Sequence, residues 1–222
     1  MSPRPKKAPA AAAPKGRPIR RSQPRAVAAP RDASAPDYSR TPLDAIPLAG
    51  LLPRALIAPN FRLYELSKSD LAARLGIDNG FASEAHLRAA IHLARQVLQP
   101  IRDAFGSFSP NSVYRSQHLE RALKNKPASW LSTSQHAKGE ACDIEIVAMP
   151  TLELAAWARD HLPDFDQIIC ECYDPAKGPN SGWVHISLKP PGAGANRKQC
   201  LSYVRDKTSG RLVYVSGLTA MV

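Results

Sequence analysis

The chain has 222 residues, 44% of them hydrophobic, and its 30 Lys and Arg outweigh 19 Asp and Glu for a formal net charge of +11. That length supports one well-buried core and little more, and the lack of a long apolar run excludes a membrane-spanning helix. Cys142, Cys170, Cys172 and Cys200 form no CxxC pair, so reduced, buried thiols are expected; a Cys-x-Cys zinc site on Cys170 and Cys172 lacks a second pair to complete four ligands.

Residues 1–45 hold ten of the Lys and Arg, three acids (Asp32, Asp37, Asp44) and nine of the 21 prolines. Such a Pro-Ala-Arg segment cannot bury enough apolar surface to offset its ordering entropy, which predicts a disordered basic tail followed by one domain over 46–222. The charge of the tail suits nonspecific contact with an anionic polymer such as cell wall, lipid headgroups or nucleic acid; it also suits a plain solubilising leader. No secretory apolar region follows the first charges, and the prolines disfavour an amphipathic transit helix, so synthesis as a soluble protein in the cytoplasm is expected. A monomer is expected.

In chain order, FRLYELSKSDLAARLG (61–76) predicts an extended lead-in and a helix capped by Ser69 and stopped at Gly76. From Ser83, Leu87, Ile91, Ala94, Leu98, Ile101 and Phe105 recur at helical spacing, with Pro100 expected to kink or split the helix. His86 and His92 lie off that stripe and are read as surface imidazoles. PNSVYRS (110–116) predicts a strand, Ser116 a cap for a short helix through Leu119 and Leu123, and 124–135 a loop. ACDIEIV (141–147) is a strand with Asp143 and Glu145 on one face and Cys142, Ile144 and Ile146 on the other. Pro150 starts a helix to about Leu162, where His161 suits a favourable C-terminal charge. FDQIICECY (165–173) and WVHISL (183–188) are strands, the latter with Trp183, His185 and Ser187 on one face. LSYV (201–204) and RLVYV (211–215) predict a hairpin. The sum is an α+β domain, a small and mainly antiparallel sheet flanked by helices.

SQHAKGEACD (134–143) followed by WVH (183–185) supplies His136, Asp143 and His185, three metal-type ligands. Structural zinc sites are usually closed by four protein ligands, whereas hydrolytic sites use about three and leave a position for water. Two imidazoles and one carboxylate leave a bound Zn²⁺ net positive, so water there ionises near neutral pH. A metallohydrolase with one zinc per chain is the expectation.

FRLYELSKSDLAARLGIDN, VLQPIRDAFG, SVYRS, SQHAKGEACDIEI, FDQIICE, WVHISL and NRKQ resemble successive blocks of the zinc D-alanyl-D-alanine carboxypeptidase family, over roughly residues 60–205. The wider group includes phage L-alanyl-D-glutamate endolysins and D-alanyl-D-alanine dipeptidases. The resemblance implies a peptidase of peptidoglycan stem peptides or their cross-links, acting at the cell wall or periplasm. It places His136, Asp143 and His185 as zinc ligands and Arg115 as the cation for a substrate carboxylate or developing oxyanion. It also places Glu171 as the general base, with Glu140 and Glu145 as competitors. Alternation supports Glu171, because Cys170 and Cys172 flank it and should point the other way. Ser134 is expected to bind substrate or shape its loop, Gly139 to let the chain turn, Trp183 to wall the cleft, and Ser187 to orient the free ring nitrogen of His185. Two departures stand out. Glu120 replaces a common asparagine, and NKPASWL replaces a glycine pair, which leaves the bond cleaved open. Two other classes stay open: a wall-binding or virion structural module of the same fold, and a nucleic-acid binder directed by the tail.

Overall fold

The computed structural model describes residues 35–220 apart from Ala148 and Lys207. Most of the expected tail, residues 1–34, lies outside the described residues. Residues 35–45 pack onto the domain. The Tyr38 N–H donates to the Leu56 carbonyl at 2.8 Å, and the Arg95 guanidinium donates to the carbonyls of Tyr38, Thr41 and Ile57. Composition cannot reveal this, because the donors that satisfy the segment sit on a helix some fifty residues downstream.

Strands β1 (Leu56–Ala58) and β2 (Phe61–Arg62) pair antiparallel. A 3-10 turn, Leu63–Leu66, leads to helix α1 (Asp70–Leu75), where the Ser69 hydroxyl accepts the Ala72 N–H and Gly76 ends the helix at φ 64°. The long apolar stripe becomes α2 (Glu84–Leu93), a π turn (Ala94–Leu98) and α3 (Gln99–Phe105). Pro100 lacks an N–H and would clash with the preceding turn of a regular helix, so the wider turn just before it absorbs the misfit. His86 and His92 are half-buried rather than solvated; His86 packs against the Tyr114 ring.

The strand expected over 110–116 reduces to one bridge. Asn111 and Ser112 both donate to the Asp143 carbonyl, and Asp143 donates back to Ser112. Tyr114 then turns its N–H to Leu66 and Arg115 to His136, so the backbone partners lie on different elements and no ladder forms. Helix α4 (Gln117–Lys124) follows, with the Ser116 hydroxyl accepting from Leu119.

β3 (Ala141–Ile144), helix α5 (Thr151–His161), β4 (Gln167–Glu171), β5 (Trp183–Ser187), β6 (Gln199–Arg205) and β7 (Leu212–Ser216) complete the domain. The sheet order is β3-β5-β4-β6-β7. Only the β4–β6 pairing is parallel; the other three are antiparallel. One face presents Cys142, Ile144, Ile168, Cys170, Val184 and Ile186 to the buried residues of α2, α3 and α5, and these form the core. Alternation sends Asp143, Ile169, Glu171, Trp183 and His185 to the opposite face. Helices therefore cover one side of the sheet and leave the other for chemistry.

Candidate metal centre and cleft

His136 sits in a 3-10 turn, Gln135–Lys138, started by Ser134, whose hydroxyl accepts the His136 N–H at 3.3 Å. Gly139 reverses the chain at φ +74°, and a Cβ there would lie 2.3 Å from the His86 carbonyl oxygen. Only glycine fits a left-handed position so close to a neighbouring backbone. The turn sets His136 against β3, where Asp143 pairs in register with His185 of β5.

The three side chains converge. His136 Nε2 is 3.1 Å from Asp143 Oδ1 and 3.2 Å from His185 Nδ1, and His185 Nδ1 is 3.0 Å from the same carboxylate oxygen. All three residues are buried, and together they are the group of metal-type ligands found among the described residues. The Val113 carbonyl lies 2.7 Å from His136 Nδ1; a carbonyl only accepts, so Nδ1 carries the proton and Nε2 offers a lone pair to the centre. Burial lowers the His136 pKa against the pull of Asp143, which favours that neutral, ligating form. Burial would raise the Asp143 carboxyl, but His136 and His185 hold it well below the usual range, so it is a carboxylate. Donor atoms bound tetrahedrally to one zinc at about 2.0–2.1 Å lie roughly 3.3 Å apart. The donor set and its spacing fit that ion.

The second Asp143 oxygen, Oδ2, pairs with Arg115 Nη2. Arg115 is further held by Nε donating to Ser112 Oγ at 2.7 Å, and its Nη1 lies 3.6 Å from Glu120 Oε1. Glu120 is fully buried, and its other oxygen accepts from Lys124 and from the Ser132 hydroxyl, each at 2.6 Å. Burial pushes the Glu120 carboxyl up, and these partners bring it below the ordinary value. In the sequence Glu120 stands out only as a departure from the resemblance. Its i,i+4 spacing from Lys124 was the available signal.

Glu171, Trp183, Ser134, Arg115 and all three ligands line one cleft of about 730 Å³. Glu171 is half-buried, and among the described residues its carboxylate has no hydrogen-bond partner. Burial raises its pKa, with His185 and Arg115 pulling it back and Asp143 adding to the rise. Of its competitors, Glu140 also lines the cleft, whereas Glu145 lies outside that lining and receives a hydrogen bond from Asn111 at 2.6 Å on the exposed surface. Cys170 packs in the core and its thiol is pushed up to about 12 by burial. Cys172 sits at φ 57°, so strand alternation stops there and only Cys170 supports the outward direction of Glu171. Ser187 does not orient His185. Its buried hydroxyl accepts the Gln167 N–H at 3.0 Å, an edge contact along β4.

Asp166, inside the FDQ block, takes its main partner, Arg197, from the NRKQ block, a pairing that no local pattern signals. Fully buried beside the cleft, it accepts from the Arg197 guanidinium and backbone, and from Gln135 Nε2 at 2.9 Å, with Lys189 3.5 Å away. It thereby ties the turn bearing His136 to the loop after β5.

Two imidazoles and a carboxylate on the open face of a helix-backed sheet, at the wall of a solvent-reaching cleft, have the donor chemistry of a hydrolytic metal centre rather than of a closed structural one. The family described as peptidase M15 matches residues 59–187. The chain belongs to this family of zinc peptidases, which includes D-alanyl-D-alanine carboxypeptidases and related endolysins. No curated protein matches the chain. Among the described residues no helix is long and apolar enough to cross a membrane.

Proposed function

We propose that the chain hydrolyses peptide bonds in peptidoglycan stem peptides or their cross-links, as a zinc-dependent D,D-carboxypeptidase or endopeptidase acting at the cell wall. The observation that carries this reading is the convergence of His136 Nε2, Asp143 Oδ1 and His185 Nδ1 in a cleft shared with the Glu171 carboxylate.

His136, Asp143 and His185 would hold the ion. Zinc, when bound, supplies Lewis acidity that makes water acidic near neutral pH and polarises a carbonyl. Glu171 accepts the proton of the attacking water at its carboxylate and delivers it to the nitrogen of the departing amine. Arg115, fastened by Ser112 and Asp143, presents a fixed cation to the substrate carboxylate or to the oxyanion of the tetrahedral intermediate. Ser134 sets the turn before His136 and offers its hydroxyl at the cleft. Trp183 walls one side and limits water there.

The test is digestion of defined muropeptides with the products read by mass spectrometry. Zinc-loaded protein is expected to release D-alanine or to split cross-links, and a chelator is expected to stop it until zinc is restored. Intact muropeptides after prolonged incubation with the loaded protein would refute the reading in favour of a wall-binding or virion structural module.

A further inference from the structure

The β6–β7 hairpin lies beyond residue 187, where the family match ends, yet it extends the same sheet. Register draws a continuous row across four strands: Trp183 opposite Glu171, Glu171 opposite Tyr203, and Tyr203 opposite Tyr214. Residues directly opposite one another project from the same face, so this row runs along the cleft side with Glu171 between an indole and two phenols. The neighbouring row, Asp143, His185, Ile169 and Leu201, carries two of the three metal-type ligands.

The rings of Tyr203 and Tyr214 lie 4.5 Å apart at 31°. Tyr214 is 59% exposed and lines the cleft together with Glu171 and Trp183. Two strand spacings put it about 10 Å from β4, within reach of a substrate held at Glu171. A cross-strand tyrosine pair can serve the hairpin alone, but that role requires neither this exposure nor a place in the cleft wall.

The chemistry of the surface selects its occupant. On this face the hairpin presents Leu201, Tyr203, Arg205, Leu212, Tyr214 and Ser216, and the one charge, Arg205, is turned to the Gly210 carbonyl at 2.6 Å. The opposite end of the cleft is strongly ionic, with Lys138, Lys189, Arg197, Glu140 and Asp166. The exposed ring of Tyr214, backed by Tyr203 and carrying a hydroxyl edge, offers a neutral aromatic face that matches a ligand with one apolar ring face and polar edges. It does not match a charged peptide terminus. A small aliphatic side chain would be better served by an enclosed pocket.

Resting on the peptidoglycan reading above, we propose that the Tyr203–Tyr214 shelf is a subsite for a neutral pyranose ring of the glycan strand, still joined to the stem peptide being cut. The substrate then lies across the sheet, with its sugar end over β6 and β7 and the scissile bond at Glu171.

The test compares a disaccharide-linked stem peptide with the same peptide freed of sugar. Wild-type zinc-loaded enzyme is expected to favour the linked substrate by about three- to tenfold in kcat/KM, chiefly through KM. Tyr214→Thr keeps strand propensity at an exposed edge position; it should erase that preference while leaving the free peptide unchanged. Tyr214→Phe keeps the ring and should retain most of the preference. Equal cleavage of both substrates by the wild type overturns the shelf, as does a Tyr214→Thr loss that is the same on both. Cleavage of neither substrate by the wild type overturns the peptidoglycan reading and this inference with it.

Discussion

Glu171 owes its chemical interest to what surrounds its carboxylate: partial burial, which raises its pKa, and no hydrogen bond among the described residues to commit it. A group that must take a proton and return it works best when its pKa lies near the operating pH. Glu171→Gln keeps the shape and removes the acceptor. Steady-state kinetics should show kcat lowered by about 10²–10⁴-fold, while a zinc titration should still saturate at one ion per chain; unchanged kcat would move the role to Glu140. Gly139 is constrained more simply. Gly139→Ala adds a Cβ against the His86 carbonyl at a left-handed position, with an expected cost of about 3 kcal/mol in denaturant unfolding. The variant should also bind zinc more weakly, because His136 precedes that turn. His136, Asp143 and His185 were legible in the chain because ligand chemistry and motif spacing are local properties. Glu120 and Asp166 were not, since nothing local says that a given acid will be roofed over by Ser132 and Lys124, or by Arg197 and Gln135.

The β4 strand, its preceding Asp166 and the loop after β5 form one unit stitched by ion pairs. Burial would raise the Asp166 carboxyl, but hydrogen bonds from the Arg197 side chain and backbone, with Gln135, hold it at about 2. An unfolded aspartate titrates near 3.9, so the folded pKa is depressed. The associated stability is present above about pH 4 and is lost as pH falls through 2, roughly 2.5 kcal/mol in all. Urea unfolding of wild type and Asp166→Asn should therefore differ most near neutral pH and converge on acidification. A gap independent of pH would assign the stabilisation to packing instead. Among the elements, those with a strong internal period were readable: the Ser69-capped helix, the long helix that a π turn carries past Pro100, and strands β3 to β7. The segment 110–116 misled because its β-like residues bond to Leu66, His136 and Asp143 in turn, and partner choice is not encoded in alternation.

Taken as a molecule, the chain joins a domain with an ionic and aromatic cleft to a basic leader. Residues 1–34 contain nine Lys or Arg and one Asp. We propose that they supply nonspecific adhesion to anionic polymer. Removing them should leave hydrolysis of small soluble muropeptides unchanged and abolish most of the salt-dependent binding to a polyanion, read as affinity against salt concentration. Identical salt dependence in both forms would place the adhesion on the folded domain. Cutting at 45 instead would also strip contacts made by Tyr38 and Thr41 with Arg95.

From the one-dimensional string came the ligand types, the faces of each strand and the α+β class, because charge chemistry and the two- and 3.6-residue periods are carried by near neighbours. Folding in three dimensions settled the rest: the burial of Glu120 and Asp166, the docking of residues 35–45, and the row from Trp183 to Tyr214. That row depends on the parallel register of β4 with β6, which places Glu171 opposite Tyr203. Pairing between strands so far apart in sequence follows from how helices and loops pack the whole sheet, a long-range outcome that no local pattern contains.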